Sequence, residues 1–219
     1  MSTGTAIIVG VGPGLGLALA RAFADAGHPV ALLGRSEERL AGYAKNISDD
    51  GSVRSYTADA GDPASLRAAI ATAIDDLGAP EVLAYNAALI RPDSPTDGDD
   101  DGWIKAHAID VLGAKVAAEA VLPALKDRGH GSLLFTGGGL ADSPSPDYAS
   151  LSVGKAALRA YVQALAAEVS DANIHATVVT INGGIDGGEE RFAASTLAQD
   201  YLDLHRQDRE GWTAELRRD

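Results

Sequence analysis

Thr5-Ala-Ile-Ile-Val-Gly10-Val-Gly12-Pro13-Gly14-Leu15-Gly16 is the stretch whose reading decides the fold. The apolar run Ala6 to Val9 reads as a buried strand, and a glycine-rich turn follows it directly. Beyond the turn, Leu15, Leu17, Ala18, Leu19, Ala20, Ala22 and Phe23 recur at helical spacing until Ala26-Gly27. Strand, glycine turn and helix in this order open a nucleotide-binding βαβ unit. Glycines let the backbone turn sharply and let a pyrophosphate come close. The free N–H groups and the positive dipole at the helix start then hold the phosphate. A turn of purely structural purpose is the alternative, since turns of every kind use glycine.

The glycine spacing is Gly10-x-x-x-Gly14-x-Gly16, with Gly12 in addition. It differs from the more widespread G-x-G-x-x-G. Composition narrows the rest. The chain has 219 residues, of which 46% are hydrophobic and only 5% aromatic, so a sizeable core must be built from Ala, Val, Leu and Ile. A net charge of −13 argues against nucleic acid or an anionic membrane as partner. It leaves room for a bound dinucleotide, because a local site can be built from N–H groups. With no cysteine there is no disulfide, thiolate nucleophile or thiolate metal site. No apolar run approaches a membrane span. Met1 to Gly10 lacks the basic region and cleavage site of a signal peptide, so a soluble cytoplasmic protein is expected.

Strands and helices alternate along the chain. Pro29 to Leu33 is a second strand ending at Gly34-Arg35-Ser36, where Ser36 caps a helix led by Glu38 and Arg39 and running to about Ile47. Val53 to Ala58 is a third strand ending at Asp59. Asp62 caps a helix to Leu77 with Pro63 at its first position. Glu81 to Tyr85 is a fourth strand, followed by Asn86-Ala87-Ala88. Residues 91–102 form a polar loop with five aspartates, expected to be solvated and to cap the next helix. Calcium binding is the alternative, though the spacing matches no EF-hand loop. Trp103 to Leu125 is a long helix, apolar nearly all round, expected to face the sheet on one side and a partner subunit on the other. Gly131 to Phe135, Asn173 to Ile181 and Trp212 to Leu216 are further strands. Tyr148 to Val169 is an alanine-rich helix, and another lies near Ser195 to Arg206. There are no repeats or linkers. The expectation is one domain, 1–219: a doubly wound α/β fold with a parallel sheet covered on both faces, the Rossmann arrangement.

These residues resemble the short-chain dehydrogenase/reductase family over nearly the whole chain. Gly10-x-x-x-Gly14-x-Gly16 matches its cofactor loop, which implies contacts from Gly10, Gly12, Pro13, Gly14, Leu15 and Gly16. Asp59, with Ala60 beside it, sits where the family's adenine-contacting Asp lies. Asn86-Ala87-Ala88 is similar to its Asn-Ala-Gly motif. Lys155 falls at the catalytic lysine inside Gly154-Lys-Ala-Ala-Leu158, and Gly183-Gly184-Ile185 stands where the family places Pro-Gly. At the end of the second strand an acid would hold the ribose hydroxyl of NAD, whereas an arginine accommodates the 2′-phosphate of NADP. Here Arg35 stands there with no acid before Glu37, so NADP(H) is favoured, with NAD and a merely surface Arg35 as the alternative.

The resemblance also exposes departures. Family chemistry is hydride transfer between nicotinamide and a carbonyl or alcohol. A Tyr carries the proton, a Lys four residues later supports it, a Ser polarises the substrate oxygen, and an Asn organises water. Counting back from Lys155, the Tyr position is Leu151. The Ser position falls at Gly138 and the Asn position at Asp110. Leu has no titratable proton. Remaining candidates for proton handling are water, Tyr148 and Asp110, with Thr136, Ser150 and Ser152 as weaker hydroxyl donors. Tyr148 packing at the helix entrance, Ser150 as N-cap and Asp110 in a buried ion pair with Lys155 are the structural alternatives. His28, His107, His130, His175 and His205 lie on different elements, and no metal site is expected. His107 is expected to be a packed helix residue. The implied function is an NADP(H)-dependent oxidoreductase acting on a small carbonyl, alcohol or enone through a depleted catalytic set. A non-catalytic NADP(H)-binding sensor or structural partner is the alternative. The two long helices resemble the family's dimer-forming helices, so a homodimer or homotetramer is expected.

Overall fold

The computed structural model describes residues 3–219. Met1 and Ser2, which begin the stretch read for a secretion signal, lie outside the described residues. Strand β1 (Thr5–Val9) leads through the glycine turn into α1 (Leu15–Asp25). Then follow β2 (Val30–Gly34), α2 (Glu37–Ile47), β3 (Val53–Thr57), α3 (Pro63–Leu77) and β4 (Pro80–Tyr85). The second half carries α4 (Asp100–His107), α5 (Gly113–Arg128), β5 (Gly131–Thr136), α6 (Ala149–Val169), β6 (Ile174–Ile181), α7 (Ala194–Arg206) and β7 (Glu215–Arg218). Among the described residues all seven strands pair in parallel in the order β3-β2-β1-β4-β5-β6-β7. The strand order reverses between β1 and β4. A crevice therefore opens at their carboxyl ends, where such sheets bind ligands.

Alternation along β1 divides the core. Ile7 and Val9 face a cluster with Leu66 and Ile70 of α3, Val116 of α5 and Leu158 of α6. Ala6 and Ile8 face Leu19 and Phe23 of α1, Leu40 of α2 and Leu197 of α7. Both faces of the sheet are covered, which is why its strands read as continuous apolar runs. The expected caps hold. The Ser36 hydroxyl accepts from the Arg39 N–H, and the Asp62 carboxylate accepts from the N–H groups of Ala64 and Ser65. In the acidic loop Asp99 caps α4 through the Gly102 N–H, while the Arg91 guanidinium gathers Asp93, Asp97 and Asp99.

Four expectations need correction. The long helix is not one α-helix: Ala108–Leu112 forms a π-turn between α4 and α5. A π-turn leaves a carbonyl without its usual partner. The Tyr85 hydroxyl donates to the Ile109 carbonyl at 2.5 Å and meets that need. Ser150 does not cap α6, because it lies inside the helix. Its N–H donates to Asp93 Oδ1 at 3.2 Å instead. The last strand starts at Glu215 rather than Trp212. The Trp212 ring stacks on His175 with centroids 4.9 Å apart, and its N–H donates to the Gln207 carbonyl. Among the described residues no helix is long and apolar enough to cross a membrane. His107 is exposed rather than packed.

At the amino ends of the strands, histidines from distant segments meet. His130 Nε2 lies 3.3 Å from Glu81 Oε1 and His205 Nε2 lies 3.8 Å from it. The ring centroids of His28 and His205 are 5.2 Å apart. Arg128 pairs with Glu81 Oε2 at 2.9 Å. Burial, and then the neighbouring His28, hold the His205 imidazole down to about 4 from 6.5. The fold thus favours neutral His205. Its contribution is complete above pH 6.5, the unfolded value, and is lost as pH falls through about 4. The shift corresponds to about 3 kcal/mol at most. Replacing His205→Asn should flatten the fall of the denaturation midpoint between those pH values. An unchanged slope in urea titrations across the window would refute this.

Candidate active site

The glycine turn is fixed by contacts that leave no room for side chains. Gly10 has φ +88°, and a Cβ there would lie 2.4 Å from the Ala87 nitrogen. A Cβ on Gly16 would lie 2.6 Å from the Gly10 carbonyl oxygen. Gly12 and Gly14 differ: nothing stands within 4 Å of where a Cβ would be. Packing therefore demands Gly10 and Gly16, while Gly12 and Gly14 keep the space in front of the α1 N-terminus clear. A bare cradle at a helix start fits a phosphate group.

Two cavities flank this cradle. The first, about 240 Å³, is lined by Gly10, Gly12, Arg35, Asp59, Ala60 and Ala87, with Ala58, Leu89 and Ile109 among the other walls. Arg35 is exposed and has no hydrogen-bond or ion-pair partner among the described residues. Asp59 keeps its Oδ1 on the Gly61 N–H at 2.9 Å. The second cavity, about 430 Å³, is lined by Gly14, Leu15, Asn86, Gly138, Leu151, Lys155 and Ile185, and by Ile90, Thr136, Leu140, Ile181 and Asp186. Asn86 borders both cavities. Its Nδ2 donates to the Gly10 carbonyl at 3.0 Å and its Oδ1 accepts from the Thr136 hydroxyl at 2.9 Å. Tyr201 lies 2.6 Å from the same hydroxyl oxygen. Since that hydroxyl already donates to Asn86, the Tyr201 O–H is the donor of the second bond.

Lys155 is buried, and its Nζ donates to the Thr136 carbonyl at 2.7 Å. Burial lowers its affinity for a proton, and the negative charge of Asp110 partly restores it. The expected contact ion pair with Asp110 does not form. The Asp110 carboxylate accepts from the Leu89 N–H at 2.7 Å through Oδ1, and its Oδ2 is buried without a hydrogen bond. Burial pushes the Asp110 carboxyl up to about 6, against the Leu89 N–H and the charge of Lys155. The side chain sits in the π-turn against Gly154, where a Cβ would lie 2.7 Å from Oδ2. Gly154 is therefore glycine because Asp110 fills its place.

Several expected site residues, Asp110 and Tyr148 among them, line neither cavity. Tyr148 is half-buried at the start of α6, its backbone bridged to Asp93. Pro13 faces a groove between α1 and α7. Gly16 serves packing, and Gly184 is exposed, with its carbonyl accepting from the Gly187 N–H. The apolar walls Ile90, Leu140 and Ile181, and the linking role of Tyr201, carried no local signal. They come from separate elements brought together only by the sheet. Among the described residues no group of three or more His, Cys, Asp or Glu has an arrangement that could hold a metal ion.

The comparisons agree with this architecture. The short chain dehydrogenase family model matches residues 4–187. A short chain dehydrogenase of Pseudocercospora fijiensis is 29% identical over 175 residues, 78% of this chain and 56% of that protein. The chain thus spans little more than half the length of that relative. The sorbose reductase of Schizosaccharomyces pombe is 30% identical over 221 residues, 97% of this chain and 85% of that protein. Two solved structures share the fold. One is a short-chain dehydrogenase from Rhodopseudomonas palustris, with TM-score 0.88, 23% identity and coverage of 98% and 97%. The other is an L-sorbose reductase from Gluconobacter frateurii complexed with NADPH and L-sorbose, with TM-score 0.88, 22% identity and coverage of 98% and 94%. With the glycine cradle, the β1–β4 crevice and the match over residues 4–187, this chain belongs to the short chain dehydrogenase family.

Proposed function

We propose that the protein binds NADP(H) across the β1–β4 crevice and is an oxidoreductase for a small carbonyl, alcohol or enone, with the proton-carrying positions of its family vacated. The observation that carries the cofactor reading is the open cradle at Gly12 and Gly14 with the unpartnered Arg35 guanidinium in the adjoining cavity. A guanidinium matches a 2′-phosphate in shape and charge. NADP and NADPH in solved relatives support the same reading, the L-sorbose reductase among them.

When bound, the nicotinamide supplies or takes the hydride. Lys155, on the wall of the larger cavity, orients the cofactor's ribose. Gly138 and Leu151 face the same cavity and offer no proton. Asp110 acts as a positioning residue, holding Leu89 from behind the wall. Tyr148 lies off the wall, so water is the proton source that this arrangement favours. The same vacancy favours a second reading, a protein that binds NADP(H) tightly and does not turn over. Assembly into a homodimer or homotetramer is supported by Ile104 of α4, Leu112 of the π-turn and Val153 of α6, which are large, apolar and exposed.

Titration with NADPH and NADH, followed by nicotinamide fluorescence, should show NADPH preferred. Arg35→Ala should weaken NADPH roughly ten- to hundredfold and leave NADH unchanged. Equal loss for both cofactors would remove the 2′-phosphate assignment. Introducing Leu151→Tyr with Gly138→Ser should raise ketone turnover about a hundredfold or more. The serine fits, because a Cβ at Gly138 meets nothing nearer than Lys155 carbons at 3.8 Å. No gain from the pair would show that these two positions are not the vacated ones. Sedimentation should give a dimer or tetramer, and a monodisperse monomer ends the assembly reading.

A further inference from the structure

The wall of the larger cavity selects by what it lacks. Four polar side chains border it: Asn86, Thr136, Lys155 and Asp186. Each makes at least one hydrogen bond within the protein. Asn86 uses its amide on Gly10 and Thr136, and the Thr136 hydroxyl is held between Asn86 and Tyr201. The Lys155 ammonium holds the Thr136 carbonyl, and its remaining N–H groups fall to the cofactor's ribose on the reading above. Asp186, exposed at the cavity edge, accepts from the Ala194 N–H at 2.8 Å through Oδ1. Part of the glycine backbone in the wall is engaged too. The Gly137 N–H donates to Val179, and the Gly138 and Gly139 carbonyls accept from Ala141, Asp142 and Ser143.

Most of the remaining side-chain wall is hydrocarbon. Leu140, Leu151 and Ile181 form the floor and sides. Ile90 and Ile185 stand at the mouth, 73% and 38% exposed. Large aliphatic side chains left open at a cavity mouth gain by covering an apolar ligand. Each further ligand hydroxyl brought against such a wall loses its water and finds few partners, which costs affinity. At about 430 Å³ the cavity lies in the range of small-molecule sites.

We propose that this cavity takes an uncharged, mostly hydrocarbon substrate with a single oxygen, such as a cyclic ketone or enone, and rejects polyols and sugars. This rests on the oxidoreductase reading above and sets the chain apart from its sorbose-reducing relatives.

The test begins with NADPH binding, whose absence would sink the cofactor reading alone. Cyclohexanone, 2-cyclohexenone and L-sorbose are then titrated by calorimetry with and without NADPH, so the cavity's preference is read either way. The cyclic ketone or enone is expected to bind at least tenfold more tightly than L-sorbose. Ile90→Asp, at an exposed position that does not tax folding, is expected to weaken that binding at least fivefold while leaving the NADPH affinity unchanged. L-sorbose binding as well as the cyclic compounds, no binding of either cyclic compound, or an Ile90→Asp variant that binds them undiminished would each overturn the proposal.

Discussion

The contact between Gly10 and the backbone of Ala87 governs the architecture of the site. It brings the end of β1 within touching distance of the segment after β4. Everything at the crevice follows from that spacing. Asn86 reaches the Gly10 carbonyl only because the two segments abut, and from there it reaches Thr136 at the end of β5. Thr136 in turn holds Lys155 by its carbonyl and Tyr201 by its hydroxyl. A single chain of hydrogen bonds thus ties the glycine turn, three strands, α6 and α7. A methyl group at Gly10 would push apart its first link, and the positive φ would strain it as well.

Much of this fold was legible because its signals are local and redundant. Apolar runs marked the strands. Asp62-Pro63 and Ser36 marked helix starts by hydrogen bonds that such residues make in any protein. The glycine turn was legible as a cradle, and Arg35 as a guanidinium beside it. Four of the misreadings share a cause: each depended on a partner distant in sequence. The π-turn exists because Tyr85 meets the Ile109 carbonyl, and no residue within Ala108–Leu112 announces it. Ser150 yields the cap position because Asp93 reaches its N–H from another loop. Lys155 chooses a carbonyl over Asp110 because α6 presents its amine to the end of β5. Trp212 is held back from the last strand by stacking on His175 of β6.

The site also shows how burial divides two opposite charges without joining them. Asp110 and Lys155 feel each other, since each opposes the shift that burial imposes on the other. Each nevertheless satisfies itself on backbone: Asp110 on the Leu89 N–H and Lys155 on the Thr136 carbonyl. Backbone partners are rigid, so both groups are held in place more firmly than a flexible ion pair would hold them. The amine stays on the cavity wall and the carboxylate stays behind it.

The all-parallel order of the sheet has a consequence for how the chain assembles. Among the described residues no two strands are joined by a hairpin, and β1 pairs on one side with β4, so that Ala6 lies against Val82. The central ladder cannot close until α1, β2, α2, β3 and α3 have been laid down between its two halves. Closing such long loops is entropically slow, and until it happens the apolar edges of β1 and β4 lie open to other chains. A nascent or truncated chain ending before β4 therefore carries a largely apolar central strand that is paired with β2 on one edge and open on the other. In a cell, the yield of intact protein will depend on how well that interval is shielded.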